Sequence, residues 1–573
     1  MPGQEDKGAC DETRPVCNQC TKSRRHCSGY RSDFDILHRD ETQATAARAR
    51  KAAAKKAAKR AAEEGRKFVN PDITPTGNSS KDKGVWEVSL ISPGSSTSPE
   101  QAFSTNIPRT DVACPTATPA VPLHQRASHF FAWNFIMVPG QRGRSLGHLD
   151  YLLPLLDAEN RPDSPFQLAY NACALAAMSN RLKADRVDLT ELSFMQHSRA
   201  LIAINKALTD PVESRNDSTL ATVLLLSLFE KITAAKEIGM LAWRTHIEGA
   251  MHLVRSRGRE MVHSKVAVLL FNAVRMQIIA RTLSSGTSTG MGVNWWLPES
   301  VAADSMGARC QRFSLETSDL RAEVARLIAS LPRNDHGLDI MLEMLRKVRG
   351  LDSRIANWLK GLPAQSQVTP LYREDRVLGD GEVKYAAVYP GRVDTYHDMM
   401  VANVWNATRS TRIILMSLLI RVAAWLCSPA DFRSTPEYAT AVRTSKANIA
   451  DIISSVPFML RVHQTNIHQP EASPPGVFAC GDDEQSKMLG GLMVAWPLST
   501  VRTCDFTTDE QREWAVGRLN YIANDLGVKY ASSLAAAKIR FPSMLMRHDG
   551  LTAAKDPLAD IKRTLSTKEI SVR

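Results

Sequence analysis

Four cysteines stand within the first 27 residues, spaced Cys10-x6-Cys17-x2-Cys20-x6-Cys27. A two-residue gap puts the Cys17 and Cys20 thiolates on one side of a tight turn. A further cysteine on either side then closes a four-sulfur tetrahedron, the arrangement that zinc prefers. The other six, at 114, 173, 310, 427, 480 and 504, have no such spacing. The rival reading is a C-x2-C redox pair, but such pairs ride on the strand-to-helix turn of a βαβ unit. No apolar strand precedes Cys17. The pattern therefore predicts zinc as cofactor, held by Cys10, Cys17, Cys20 and Cys27.

The neighbouring residues carry a resemblance. Ala9-Cys10-Asp11-Glu12-Thr13-Arg14-Pro15-Val16-Cys17-Asn18-Gln19-Cys20 runs into Thr21-Lys22-Ser23-Arg24-Arg25-His26-Cys27-Ser28-Gly29-Tyr30. This resembles the second half of the motif of fungal binuclear zinc-cluster transcription factors. The resemblance implies a module in which six thiolates hold two zinc ions and a short helix enters the DNA major groove. Lys22, Arg24 and Arg25 would be its DNA contacts here. The family's first two cysteines, and the basic helix between its second and third, have no counterpart in Met1–Ala9. Cys17 corresponds to the fourth family cysteine, which bridges both metals together with the first. A binuclear cluster therefore cannot form from the chain as written, whereas one zinc on four sulfurs can. Three explanations stay open: an upstream segment carrying the first half, which is the one favoured; a relic; or a single-zinc knuckle that contacts protein. Residues 1–43 hold 7 lysines and arginines against 8 acids, a net of −1. A DNA reader needs a positive face, so this fragment by itself is expected to bind DNA poorly.

The elements that would position such a module follow along the chain. Residues 44–67 concentrate 9 of the basic side chains against 2 acids, within a net charge of +12 for the 573-residue chain. Their alanine, lysine and arginine favour a helix, with Gly65 as a stop, but no leucine, isoleucine or valine supplies a coiled-coil seam. A solvated helical spacer and a nuclear-import signal through Arg48, Arg50, Lys51, Lys55, Lys56, Lys59 and Arg60 are both compatible with this composition. From 68 to 125 the chain is rich in Pro, Ser, Thr and Gly. It is expected to be a disordered linker, in which Val85-Trp86-Glu87-Val88 is a stray apolar patch rather than a docking motif.

From 126 to 573 the pattern predicts an irregular all-α domain of a dozen or more helices. Apolar residues recur at three- and four-residue spacing over Ser164–Arg181, Leu189–Leu208, Asp217–Ala234, Met240–Arg257 and Val266–Leu283. They do so again over Ser314–Leu331, Gly337–Leu362, Tyr396–Leu426, Pro436–Val456, Ser486–Thr503 and Thr508–Leu526. Asp217 and Ser218 stand where an N-cap belongs, and Gly258 where a C-terminal glycine belongs. Strand alternation and regular repeats are not evident. No uninterrupted apolar run reaches membrane-span length, and no apolar core follows the polar start, so a soluble intracellular chain without membrane partners is expected.

Thr219–Glu230 leads into Trp243-Arg244-Thr245-His246-Ile247-Glu248-Gly249-Ala250-Met251-His252-Leu253-Val254-Arg255-Ser256-Arg257-Gly258. These phrases, with Phe130–Asn134 and Gly147–Leu152 upstream, resemble the fungal-specific transcription factor domain found downstream of zinc clusters. Read from the residues alone, Trp243, Ile247, Ala250 and Val254 line one buried helical face, with His246 and Leu253 beside it. His246 then reads as a hydrogen-bonded core histidine rather than a ligand. Gly249 suggests a close helix–helix approach, and the helix dipole suffices to explain Arg255 and Arg257.

An enzyme is not expected. No nucleophile elbow, phosphate loop, dinucleotide fingerprint or H-E-x2-H motif occurs, and Cys173 reads as a small core residue. Together the resemblances imply a nuclear, zinc-dependent, DNA-binding regulator of fungal RNA polymerase II genes, such as metabolic or secondary-metabolite genes. Its expected partners are promoter DNA, if the missing first half of the module exists, a second copy in a homodimer, and the transcription machinery. The alternative is a regulator or adaptor that does not bind DNA and acts through its helical domain.

Overall fold

Polar caps open the helices of this chain. Ser164, Ser264, Ser305, Asn334, Asp398, Thr435 and Thr508 each accept a hydrogen bond from the amide three residues on. Each bond satisfies an N–H that helix geometry leaves without a partner. At Thr508 the bond is reciprocal, because the Gln511 side chain accepts from the Thr508 amide. Gly258 and Gly286 take left-handed φ values of 67° and 74° where two helices end, a conformation that glycine adopts without a Cβ penalty.

The computed structural model describes residues 121–551 apart from 139–146, 160, 183–185, 234–236, 259–263, 301–304, 380, 463–476 and 479–487. All of them fall in one of the two units into which the chain divides, Pro119–Arg573. Among the described residues there are 16 α-helices and few strands, so the expected all-α class holds. The first helices are α1 (Leu123–Phe135), α2 (Leu152–Ala158), α3 (Pro165–Arg181), α4 (Arg186–Thr209), α5 (Asp217–Thr233), α6 (Glu237–Arg257), α7 (Lys265–Ser285) and α8 (Val293–Trp296). They continue as α9 (Met306–Ser330), α10 (Asp335–Lys360), α11 (Met399–Cys427), α12 (Pro436–Met459), α13 (Met488–Thr503), α14 (Asp509–Asn524), α15 (Tyr530–Ala536) and α16 (Ser543–His548). Strand β1 (Met137–Val138) pairs antiparallel with β4 (Val477–Phe478), and β2 (Thr369–Glu374) with β3 (Gly391–Thr395).

Every helical stretch expected from periodicity is a helix. The largest difference is α9, which begins at Met306 behind its Ser305 cap rather than at Ser314. Asp217, expected as a cap, lies in the first turn of α5, where its charge faces the positive helix end. The β2–β3 hairpin was not expected. Most of β2 is exposed, so no apolar alternation marks it.

Helix α11 is the spine. It packs against α9, α10, α12 and α13, and its residues enter both hydrophobic cores. Helices α7 and α11 are each long and apolar enough to cross a membrane by length and composition, contrary to expectation. Uninterrupted apolar runs stop at Arg421, whereas hydropathy averaged over a helix tolerates a single charge. In α11, 83% of the most apolar window is buried inside the protein, as expected of a core helix.

The buried arginines on the spine each have polar partners. Arg421 binds Asp549 through two hydrogen bonds of 2.6 and 3.1 Å, with both side chains almost fully enclosed. Arg412 binds Asp352 of α10 in the same way, at 2.7 and 3.1 Å. Arg409, 2% exposed, donates to Tyr396 at 2.7 Å and to Asn406 at 3.1 Å.

Two asparagines tie the first helices to the last. Asn134 of α1 accepts from Arg181 of α3 and from the Met488 amide that opens α13, both at 3.2 Å. Asn180 of α3 donates to the carbonyls of Ile232 at 2.7 Å and Gly527 at 2.8 Å. Glycine permits close approach elsewhere. Gly517 of α14 lies against the Lys384 carbonyl, where an added Cβ would overlap backbone. Around it, Trp514 donates to the Ala386 carbonyl at 2.9 Å and Arg518 to the Tyr385 carbonyl at 3.0 Å.

Two substitutions test this packing. Asp549→Ala strands the buried Arg421 charge and is expected to lower stability by about 3–5 kcal/mol in denaturant titration. Gly517→Ala is expected to lower it by about 2 kcal/mol or more, since the clashing partner is backbone and cannot rotate away.

Candidate functional site

The Trp243–Gly258 phrase forms most of α6, and each of its marked residues has a definable contact. Trp243, Ile247, Ala250 and Val254 are all buried, as the spacing predicts. The Trp243 indole N–H donates to Gln277 Oε1 of α7 at 3.2 Å, and Lys231 Nζ donates to the same oxygen at 2.9 Å. Lys231 also lies over the Trp243 ring, 5.0 Å from its centroid. Burial brings the Lys231 ammonium down to about 8.

Two readings of the phrase need correction. A Cβ built on Gly249 meets nothing within 4 Å, so this glycine does not mark a close helix–helix approach. Arg257 does more than face a helix dipole. Its guanidinium donates to the carbonyls of Ser214 at 3.1 Å and Asn216 at 2.7 Å, and lies 3.5 Å from the Asp217 carboxylate. It thereby clamps the end of α6 onto the turn that opens α5.

His246 is not buried in apolar surroundings alone. Its Nε2 lies 4.0 Å from Glu230 Oε1, and His197 Nε2 of α4 lies 3.7 Å from the same oxygen. One donor atom from each of these three residues falls within 4.8 Å of the other two. The His197 ring is stacked on Phe229, 4.2 Å between centroids and 12° from parallel, which fixes its direction. Its Nε2 is buried and has no hydrogen-bond partner. Burial, and secondly the neighbouring His246, hold His197 down at about 3, while burial raises Glu230 to about 7. The two imidazoles and one carboxylate are donors of the kind that bind borderline transition metals. Spacing in sequence could not reveal the trio, because its members come from three separate helices. The Glu230 and His246 positions sit within the quoted phrases, but His197 carries no signal there.

Cys173 matches its expectation as a core residue: it is fully buried and its thiol donates to the Leu225 carbonyl at 3.2 Å. Burial, with Glu230 nearby, pushes that thiol far above its ordinary range. The zinc ligands expected from sequence (Cys10, Cys17, Cys20 and Cys27), the DNA contacts Lys22, Arg24 and Arg25, and the basic residues from Arg48 to Arg60 lie outside the described residues.

Residues 134–367 match the family model described as the fungal specific transcription factor domain. The matched segment contains α3 to α10 and the whole His197, Glu230 and His246 trio. Transcription factor dbaG of Emericella nidulans is 24% identical over 421 residues, covering 72% of this chain and 92% of that protein. No solved structure gives a significant match. Both similarities support a transcriptional regulator.

The contacts of α6 predict opposite outcomes for two neighbouring substitutions. Gly249→Ala, in an open helical position, is expected to raise stability by about 0.5–1 kcal/mol. Arg257→Ala, which removes the guanidinium from the Ser214 carbonyl, the Asn216 carbonyl and Asp217, is expected to lower it by about 1–2 kcal/mol. Thermal unfolding of the two variants beside the parent protein checks both.

Proposed function

We propose that this chain is a nuclear transcription factor of a fungus that binds DNA through zinc and regulates genes read by RNA polymerase II. The observation that carries the reading is a fungal specific transcription factor domain match at 134–367 on a chain that also bears the Cys10, Cys17, Cys20 and Cys27 spacing. Likeness to a transcription factor along 92% of that protein's length points the same way. In this reading the four thiolates hold zinc and shape the N-terminal module, with Lys22, Arg24 and Arg25 meeting phosphates. The basic run from Arg48 to Lys67 directs nuclear import and adds nonspecific attraction to DNA. The helical part relays a signal to the transcription machinery, and a homodimer supplies two DNA half-sites.

One observation favours a second reading. The net charge of −1 over residues 1–43 is unlike that of a DNA reader, and suits a regulator that acts through protein contacts instead.

Selection of bound fragments from a fungal promoter library separates the two. Full-length protein extended by the upstream segment that carries the first half of the module is expected to enrich particular promoter fragments, with an affinity that falls steeply as salt rises. Cys17→Ser with Cys20→Ser should abolish both the enrichment and the thiolate-bound zinc. Fragment enrichment that survives this double substitution, or no enrichment at any salt concentration, would leave the adaptor reading in its place.

A further inference from the structure

We propose that His197, Glu230 and His246 form a site for a divalent transition metal of the zinc class, joining α4, α5 and α6. The proposal rests on the geometry of these helices and not on the DNA-binding reading.

Three features converge on it. First, three donors from three helices point at one small volume, the nearest pairs being 3.7 and 4.0 Å apart. Donor atoms on a tetrahedral zinc, each about 2.0–2.1 Å from the metal, lie roughly 3.4 Å from one another. The two pairs through Glu230 must therefore close by roughly 0.3 and 0.6 Å, and the two imidazole nitrogens, within 4.8 Å of each other, by up to roughly 1.4 Å, a movement that falls to the partly exposed side chains of Glu230 and His246. Second, His197 Nε2 is buried, aimed into this volume and without a hydrogen-bond partner. A buried polar atom in that condition calls for an explanation, and a bound cation is one that fits an imidazole nitrogen. Third, the ring that carries it is already oriented by its stack on Phe229, so binding needs little reordering of His197.

Two imidazoles and one carboxylate leave one position of a tetrahedron open. Cys173 does not fill it, because its thiol is engaged with the Leu225 carbonyl. The exposed edges of Glu230 and His246, 15% and 18% accessible, leave that position to water. A metal here fastens α4, α5 and α6 to one another, and makes the stability of this part of the fold respond to metal supply.

Cobalt(II) and zinc titrations of the full-length chain decide the matter when Cys10, Cys17, Cys20 and Cys27 are all replaced by serine. One equivalent of cobalt is expected, with visible ligand-field bands and no thiolate charge-transfer band. Zinc should displace it and raise the melting temperature. His197→Gln, Glu230→Gln and His246→Gln should each weaken binding at least about tenfold. His246→Gln is the deciding variant, because a partly exposed side chain can be exchanged without loss of the core, and its loss of metal-dependent stabilisation is read against its own metal-free melting curve. No bound cobalt in the serine background, or binding unchanged by His246→Gln and Glu230→Gln, would overturn the site. Zinc that is lost with the four cysteines alone would overturn it too, while leaving the DNA-binding reading intact.

Discussion

Helix α11 can be buried only because its arginines are paired. A 29-residue helix that meets neighbours on nearly every side has no solvent face on which to place a cation. Arg412 and Arg421 each receive a carboxylate in two-point contact, from Asp352 on α10 and from Asp549 at the end of α16. Arg409 instead sits among Tyr396, Asn406 and the ring of Trp405. These pairings choose the partners of α11 as well as permitting its burial. Apolar contact alone would let neighbouring helices slide along it, whereas a two-point arginine–carboxylate contact fixes one register.

Much of the helical framework was legible in the residues. Amphipathic periodicity located the long helices, and the stretches that begin at Ser164 and Thr508 open on side chains that prove to be caps. Where reading failed, the cause was tertiary. Helix α9 extends back to Met306 because Ser305 caps it there, and its first turns bury Gly307, Ala308 and Cys310, which are too small to stand out in an apolar pattern. Strand β2 shows little burial and so has no pattern to detect. Gly249 and Gly517 look alike in sequence, yet one faces open space and the other a carbonyl. Only the neighbouring segment distinguishes them.

The W-x2-H-x2-G-A phrase has a physical content that a helical wheel conveys only in part. Its apolar positions seat α6, while its polar positions reach three other segments: Trp243 to Gln277 on α7, His246 towards Glu230 on α5, and Arg257 to the turn before α5. The phrase thus describes a joint between helices more than a single helix face. His197 completes that joint from α4. Its contribution was invisible beforehand, since nothing in the residues around it differs from an ordinary amphipathic helix.

The bonds from Asn134 to the Met488 amide and from Asn180 to the Gly527 carbonyl join parts of the chain more than three hundred residues apart. Helices α1, α3 and α5 therefore share one interior with α13, α14 and α15. On a ribosome, which delivers the N-terminal helices first, that interior stays open until the last third of the chain has emerged. The segment 134–367 is accordingly a span of sequence similarity and not a unit of folding. A fragment cut at its edges would expose the apolar faces that the C-terminal helices cover, and in the cell such a product belongs to chaperones and proteases.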